Sequence, residues 1–172
     1  WSVNPAEMAS KYEQGGSPIS ARLESAKNAA RRGYRVGFHF DPIIYYRGWE
    51  NDYRQVVADI FSDKILRENT LWVSLGTLRY VPALKQVAER RFADNGLYYF
   101  GEFFEDTDGK VRYPRELRIK MYKCLSELIK KYAPKCWVYL CMEPEEVWNE
   151  SGIPVRFWDD LSDSRIKGSC NM

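Results

Sequence analysis

Arg35-Val36-Gly37-Phe38-His39-Phe40-Asp41-Pro42 is the stretch that decides the fold. Side chains on a strand alternate between two faces, so Val36, Phe38 and Phe40 share one side and Gly37, His39 and Asp41 the other. One face suits a core. The other presents bare backbone, an imidazole and a carboxylate. Pro42 has no N–H and is expected to end the strand, leaving Asp41 at its carboxyl end. In barrels and open α/β sheets alike, that end is where ligands sit.

Toward the amino terminus, Trp1 to Asn4 reads as the end of another strand, with Ser2 and Asn4 on one face and Pro5 stopping it. Gly15-Gly16-Ser17-Pro18 is a loop. Ile19, Leu23, Ala26 and Ala30 then recur at helical spacing over residues 19 to 32, and Gly33 closes the helix. Beyond Pro42 comes an aromatic loop, Ile43 to Trp49. It leads into a second amphipathic helix marked by Trp49, Tyr53, Val56, Val57, Ile60 and Phe61.

Leu71 to Thr77 is the next apolar run of strand length, and Pro82 opens a helix carrying Leu84, Val87 and Ala88. Leu97 to Phe104 reads as a short strand or extended loop. Asp106-Thr107-Asp108-Gly109 lacks the closing Glu of a calcium loop and reads as a turn. Arg115 to Tyr132 is the longest helix, with Leu117, Met121, Cys124, Leu125, Leu128 and Ile129 inward. Cys136 to Met142 is the last strand, and Glu143-Pro144-Glu145-Glu146 opens a short helix. This alternation predicts a parallel sheet with crossover helices. No G-x-G-x-x-G or P-loop follows a strand, which argues against a dinucleotide or NTP site and favours a barrel segment.

With 172 residues the chain fits one domain with a real core. A net charge of +2 and a pI near 8.3 permit a nucleic-acid partner without demanding one. The absence of a long apolar run or a leader predicts a soluble, cytoplasmic protein with no membrane partner. A start without Met predicts a piece of something longer. Cys124, Cys136, Cys141 and Cys170 form no C-x-x-C pair, so no metal site is expected.

Strands running parallel bring Ser2 and Asn4, His39 and Asp41, Thr77 and Arg79, and Cys141 and Glu143 toward one rim. Each has an ordinary reading beside the functional one. His39, the only histidine, can be a core residue. Asp41 can cap a turn, Arg79 can pair with Glu102 or Glu143, and Glu143 can serve the next helix N-terminus. Tyr45, Tyr46, Arg47 and Trp49 can stack on bases or anchor their loop. Arg31-Arg32, Arg90-Arg91 and Lys130-Lys131 read as solvated faces, and no catalytic residue is assigned.

Several of these segments together resemble one family. They are Ser2-Val3-Asn4, Arg22 to Ala26, Gly33 to Ile43, Gly48-Trp49-Glu50, Tyr53-Arg54, Ser74 to Arg79, and Tyr139 to Glu143. The combination resembles the radical S-adenosylmethionine proteins of the spore photoproduct lyase family, over about residues 1 to 150. The resemblance implies an α/β fold: the carboxyl-terminal half of a partial (β/α)6 TIM-like barrel, its parallel strands flanked by helices. Residues 151–172 would be a tail.

It further implies a [4Fe-4S] cluster on a Cys-x3-Cys-x2-Cys loop that cleaves S-adenosylmethionine to a radical, which in the lyase repairs a thymine dimer of DNA. That loop is not in this sequence, nor is the lyase's hydrogen-donating cysteine, for which Cys141 is no counterpart. The partner implied is the amino-terminal half of the same barrel, with DNA permitted. Ser2 resembles the serine that contacts the methionine moiety. Asn4, His39 and Asp41 join it as cofactor-side candidates, and Tyr45, Tyr46, Arg79, Cys141 and Glu143 as substrate-side ones. Asp41 stands where the lyase has a small residue and His39 where it has an apolar one, which points to a relative of the spore enzyme.

Two other readings stand beside this one. A self-contained module could grip a nucleic acid or protein with loop 45–49. A hydrolase-like enzyme could use His39 with Asp41, although no nucleophile elbow accompanies them.

Overall fold

A computed structural model describes residues 1–92 and 96–154. Three parallel strands form its centre: β1 (Val36–Ile43), β2 (Thr70–Thr77) and β6 (Trp137–Leu140), in the order β1-β2-β6. The segment Trp1–Asn4 lies parallel beside β1, with His39 N–H donating to the Trp1 carbonyl at 2.8 Å and Val3 N–H to the His39 carbonyl at 2.8 Å.

The expected crossover helices cover one face. They are α2 (Ile19–Arg31), α3 (Trp49–Phe61) and α6 (Arg115–Tyr132), preceded by a short α1 (Ala6–Tyr12) and joined by α4 (Lys64–Asn69). Phe38, Phe40, Val73, Leu75, Val138 and Leu140 meet Tyr53, Val57, Ile60, Met121 and Leu125 in one dry core. Burial alternates along β1 as the sequence requires, with Val36, Phe38 and Phe40 buried and Gly37, His39 and Asp41 partly open. This second face, partly open, is the one that would line the interior if the sheet continued into a barrel.

A second, antiparallel sheet sits at the carboxyl end of β2, built from β3 (Arg79–Tyr80), β5 (Val111–Arg112) and β4 (Phe104–Glu105) in the order β3-β5-β4. The Asp106–Gly109 turn joins its hairpin, as expected, and Arg112 clasps Asp108 there at 2.6 Å. The remaining helices are α5 (Pro82–Arg91) and α7 (Glu145–Ser151).

The structure corrects several boundaries. Pro42 does not end β1: a register shift between Phe40 and Ile43 carries the strand through a cis Asp41–Pro42 bond, and Ile43 pairs with Thr77. Residues Leu97–Tyr99 form a 3₁₀ turn and only Phe104–Glu105 a strand, because β5 pairs with no more than that. Cys136 and Cys141 flank β6 instead of lying in it. On α5 only Ala88 is buried, while Leu84 and Val87 are exposed, so this helix does not cover the parallel sheet. Ile153, just past α7, packs into the core. Most of the proposed tail, with Cys170, lies outside the described residues.

Candidate functional site at the carboxyl ends of the strands

The bend at Pro42 leaves Asp41 over the end of β2. The Asp41 carboxylate accepts both forks of the Arg79 guanidinium, Nη1 to Oδ1 at 3.0 Å and Nη2 to Oδ2 at 3.0 Å. Nη2 also donates to Cys141 Sγ at 3.4 Å, and Nη1 to the Thr77 carbonyl at 3.4 Å. Three strand ends thus converge on one guanidinium. The Arg79 partner is therefore Asp41, not Glu102 or Glu143.

The pair lies flat because position 76 is glycine. A Cβ there would sit 2.8 Å from Asp41 Cγ and 2.9 Å from Arg79 Nη1. The two side chains are 21% and 16% exposed, so the pair is open enough to meet a ligand and sheltered enough to hold its geometry. Burial opposes the Arg79 charge, but the Asp41 carboxylate outweighs it and the guanidinium is held above its usual pKa. Burial and then Asp41 raise the Cys141 thiol, which keeps its proton near neutrality.

Glu143 stands behind this cluster, not in it. Its side chain is 2% exposed, its Oε1 accepts from the Tyr122 hydroxyl at 2.6 Å, and Arg118 Nε lies 3.2 Å away. The same Tyr122 hydroxyl accepts the Thr77 N–H at 3.0 Å. One phenol from α6 therefore ties the end of β2 to the segment after β6. Burial, with Glu143 beside it, drives the Tyr122 pKa far up, so the phenol stays a donor. Tyr122 and Arg118 carry no signal in the sequence beyond helical spacing, and the spacing gives no hint that they serve the rim.

Ser2 is exposed at the sheet edge beside His39. Asn4 is buried and fully engaged: it accepts from the Tyr53 hydroxyl at 2.8 Å and donates to Glu13 at 2.9 Å. His39 packs edge-on against Trp72, centroids 4.8 Å apart, and its ring nitrogens have no hydrogen-bond partner among the described residues. Burial and the nearby chain ammonium lower its pKa, outweighing Asp41, so the imidazole is neutral at pH 7.

Loop 45–49 is anchored. The Tyr45 ring packs on Tyr113, the Tyr46 hydroxyl donates to Asp52 at 2.8 Å, and Trp49 is 3% exposed in the core. The Tyr45 backbone N–H donates to the Tyr113 hydroxyl at 3.1 Å. Trp49 is thus removed from the stacking set, while Tyr45, Tyr46 and Arg47 line a shallow groove of about 290 Å³ with Lys120.

The inner face also carries an aromatic lining that was not among the candidate residues. Trp72 lies over Gly37, where a Cβ would be 2.3 Å from the indole, and Trp72, Tyr139 and Trp137 form a chain of rings with centroids 5.8 and 5.0 Å apart. Alternation along β2 and β6 places these residues opposite Val73 and Val138, a signal the sequence did carry. No three His, Cys, Asp or Glu side chains among the described residues are grouped to hold a metal ion, so an iron–sulfur cluster has no ligand set there.

The model of the spore photoproduct lyase family matches residues 1–139, so Cys141 and Glu143 fall just beyond the match. The spore photoproduct lyase of Bacillus subtilis strain 168 is 26% identical over 145 residues, covering 78% of this chain and 41% of that protein. The Geobacillus sp. enzyme is 30% identical over 93 residues, 54% of this chain and 27% of that protein. Among solved structures, a spore photoproduct lyase complexed with dinucleoside spore photoproduct superposes with a TM-score of 0.71 at 24% identity, covering 81% of this chain and 43% of that one. A mutant lyase with bound AdoMet and dinucleoside spore photoproduct gives 0.69 over the same shares. The chain spans less than half the length of these relatives, and the structural likeness carries the fold alone. From the family model's match over most of its length, the chain belongs to the spore photoproduct lyase family.

Proposed function

We propose that this chain is a carboxyl-terminal portion of a radical S-adenosylmethionine enzyme acting on a DNA photoproduct or a related substrate. Residues 1–150 would form barrel wall and 151–172 a tail. One observation carries the reading. In a member of this family, the parallel strand ends bring Asp41, Arg79 and Cys141 into one hydrogen-bonded cluster on the open inner face.

The residues present suit a polar, zwitterionic ligand such as S-adenosylmethionine, which supplies the radical chemistry of the family when bound. The Asp41–Arg79 pair offers both signs of charge, and Gly76 leaves bare backbone beneath it. Ser2 and His39 would line the cofactor side. Tyr45, Tyr46, Arg79 and Cys141 would line the substrate side. Asn4 and Glu143 would act by positioning, since their polar atoms face the interior. A [4Fe-4S] cluster would be held by the amino-terminal half of the barrel, and the protein would work in the cytoplasm.

The test has two arms. Given S-adenosylmethionine and a strong reductant, the 172-residue chain alone should release no 5′-deoxyadenosine, and release would overturn the reading. In the longer protein, Asp41→Asn should weaken S-adenosylmethionine binding by about tenfold, the loss of one charged hydrogen bond. Unchanged affinity would remove Asp41 from the site.

A further inference from the structure

At the opposite, amino-terminal ends of the strands lies a groove that the reading above does not use. Val36 is in register with Thr70 and Trp72 with Trp137, so the segments entering β1, β2 and β6 lie side by side. They wall a space of about 420 Å³ lined by Arg35, Arg67, Glu68, Leu71, Tyr132 and Lys135, among others. Its size falls within the usual range for small-molecule sites, roughly 300–1,000 Å³.

The cations in this groove are held but not neutralised. Arg35 Nη1 donates to the Glu68 carbonyl at 2.9 Å, and Arg67 Nη1 to the carbonyls of Phe61 at 2.8 Å and Ser62 at 3.3 Å. Among the described residues no carboxylate lies within ion-pair distance of Arg35, Arg67 or Lys135, and the Glu68 carboxylate pairs instead with Lys64 at 4.0 Å. Guanidinium groups at helix C-termini are favoured by the helix dipole, which accounts for the bonds of Arg35 and Arg67. It does not account for Lys135, which stands past the end of α6 and makes no such bond among the described residues, nor for the apolar surface that Tyr132, Leu71 and Pro134 add. In a chain with 26 basic and 24 acidic residues, three unpaired cations around one small cavity are a local concentration.

We propose that this groove binds a nucleoside phosphate, the phosphate on Arg35 and Lys135 and the base against Tyr132 and Leu71. Forked guanidinium donors suit phosphate oxygens, and an aromatic ring beside them suits a base. The same chemistry is offered by a free nucleotide and by one nucleotide of a nucleic-acid strand. The groove is separated from the Asp41–Arg79 cluster by the length of β2, roughly 25 Å at ~3.3 Å per residue. Failure here would therefore leave the proposed function intact, and the converse holds.

The experiment uses the 172-residue chain, its Arg35→Glu/Lys135→Glu variant and a charge-matched control, Arg90→Glu/Arg91→Glu on α5. AMP is titrated calorimetrically and a fluorescent oligothymidylate by anisotropy at low salt, with circular dichroism verifying the fold. Binding that weakens about tenfold or more in the groove variant and is unchanged in the control is the expected result. Oligonucleotide binding alone assigns the source to a strand. AMP binding that displaces the oligonucleotide assigns it to a free nucleotide, and either supports the groove. Three results overturn it: no binding of either probe, equal weakening in the control, or displacement by inorganic phosphate as effective as by AMP.

Discussion

The two faces of the parallel sheet share one backbone and differ in almost everything else. The side facing α2, α3 and α6 is aliphatic and aromatic, without exposed polar groups, and Phe38, Phe40, Val73 and Leu75 are 0% exposed. The inner side carries His39, Asp41, Ser74 and Cys141 among aromatic rings, much of it within reach of solvent. Stability is concentrated on the first face, so the second is free to hold groups that a core could not tolerate. Strand alternation performs this separation one residue at a time.

The sharpest way to break the contrast is to injure the packed face. Phe40→Ala should cost about 3–5 kcal/mol, the usual loss for a buried aromatic, read as a shifted urea midpoint. A cost under about 1 kcal/mol would mean that the sheet is held from elsewhere.

Between the faces stands Tyr122. Tyr122→Phe strands the Thr77 N–H and removes a donor from buried Glu143, and should cost about 1–3 kcal/mol. It should also loosen the Arg79 end of β2, which protection of the Thr77 and Leu78 amides from hydrogen exchange would report. Unchanged exchange would disconnect helix α6 from the rim.

The smallest effect belongs to the inner face. The His39 pKa lies below its ordinary 6.5 in the folded chain, so the unfolded chain binds more protons in the window beneath that value. Stability from this source is present above pH 6.5 and is lost as pH falls through the folded-state pKa. His39→Gln should therefore flatten the decline in denaturation midpoint as pH falls below 6.5. An unaltered decline would place its origin in other groups.

Much of this contrast was legible in residue order. Alternation in Val36–Asp41 identified both faces of β1, and the periodicity of Trp49–Phe61 gave α3 with all six core contacts. Rim positions followed from knowing where strands end. What escaped was structure too short to be periodic: α1, α4 and the two-residue strands β3 and β5, while β4 was touched only at Phe104. For α4 a signal existed, since the Asp63 side chain accepts from the N–H groups of Ile65 and Leu66 as an N-cap. The Asp41–Arg79 pairing depended on the bulge at Pro42 and on the missing Cβ of Gly76, neither of which a propensity argument supplies. Glu143 follows β6 at the rim end, yet its carboxylate turns inward, because Tyr122 and Arg118 reach it from α6.

Gly37 has a consequence for the width of whatever space the barrel wall encloses. With no side chain at 37 the Trp72 indole reclines against the strand, and a single methyl there, 2.3 Å from the ring, would force it upright. The residue at 37 thus acts as a gauge: glycine sets a wide bore with an aromatic lining, and anything larger would turn the same tryptophan into an obstruction.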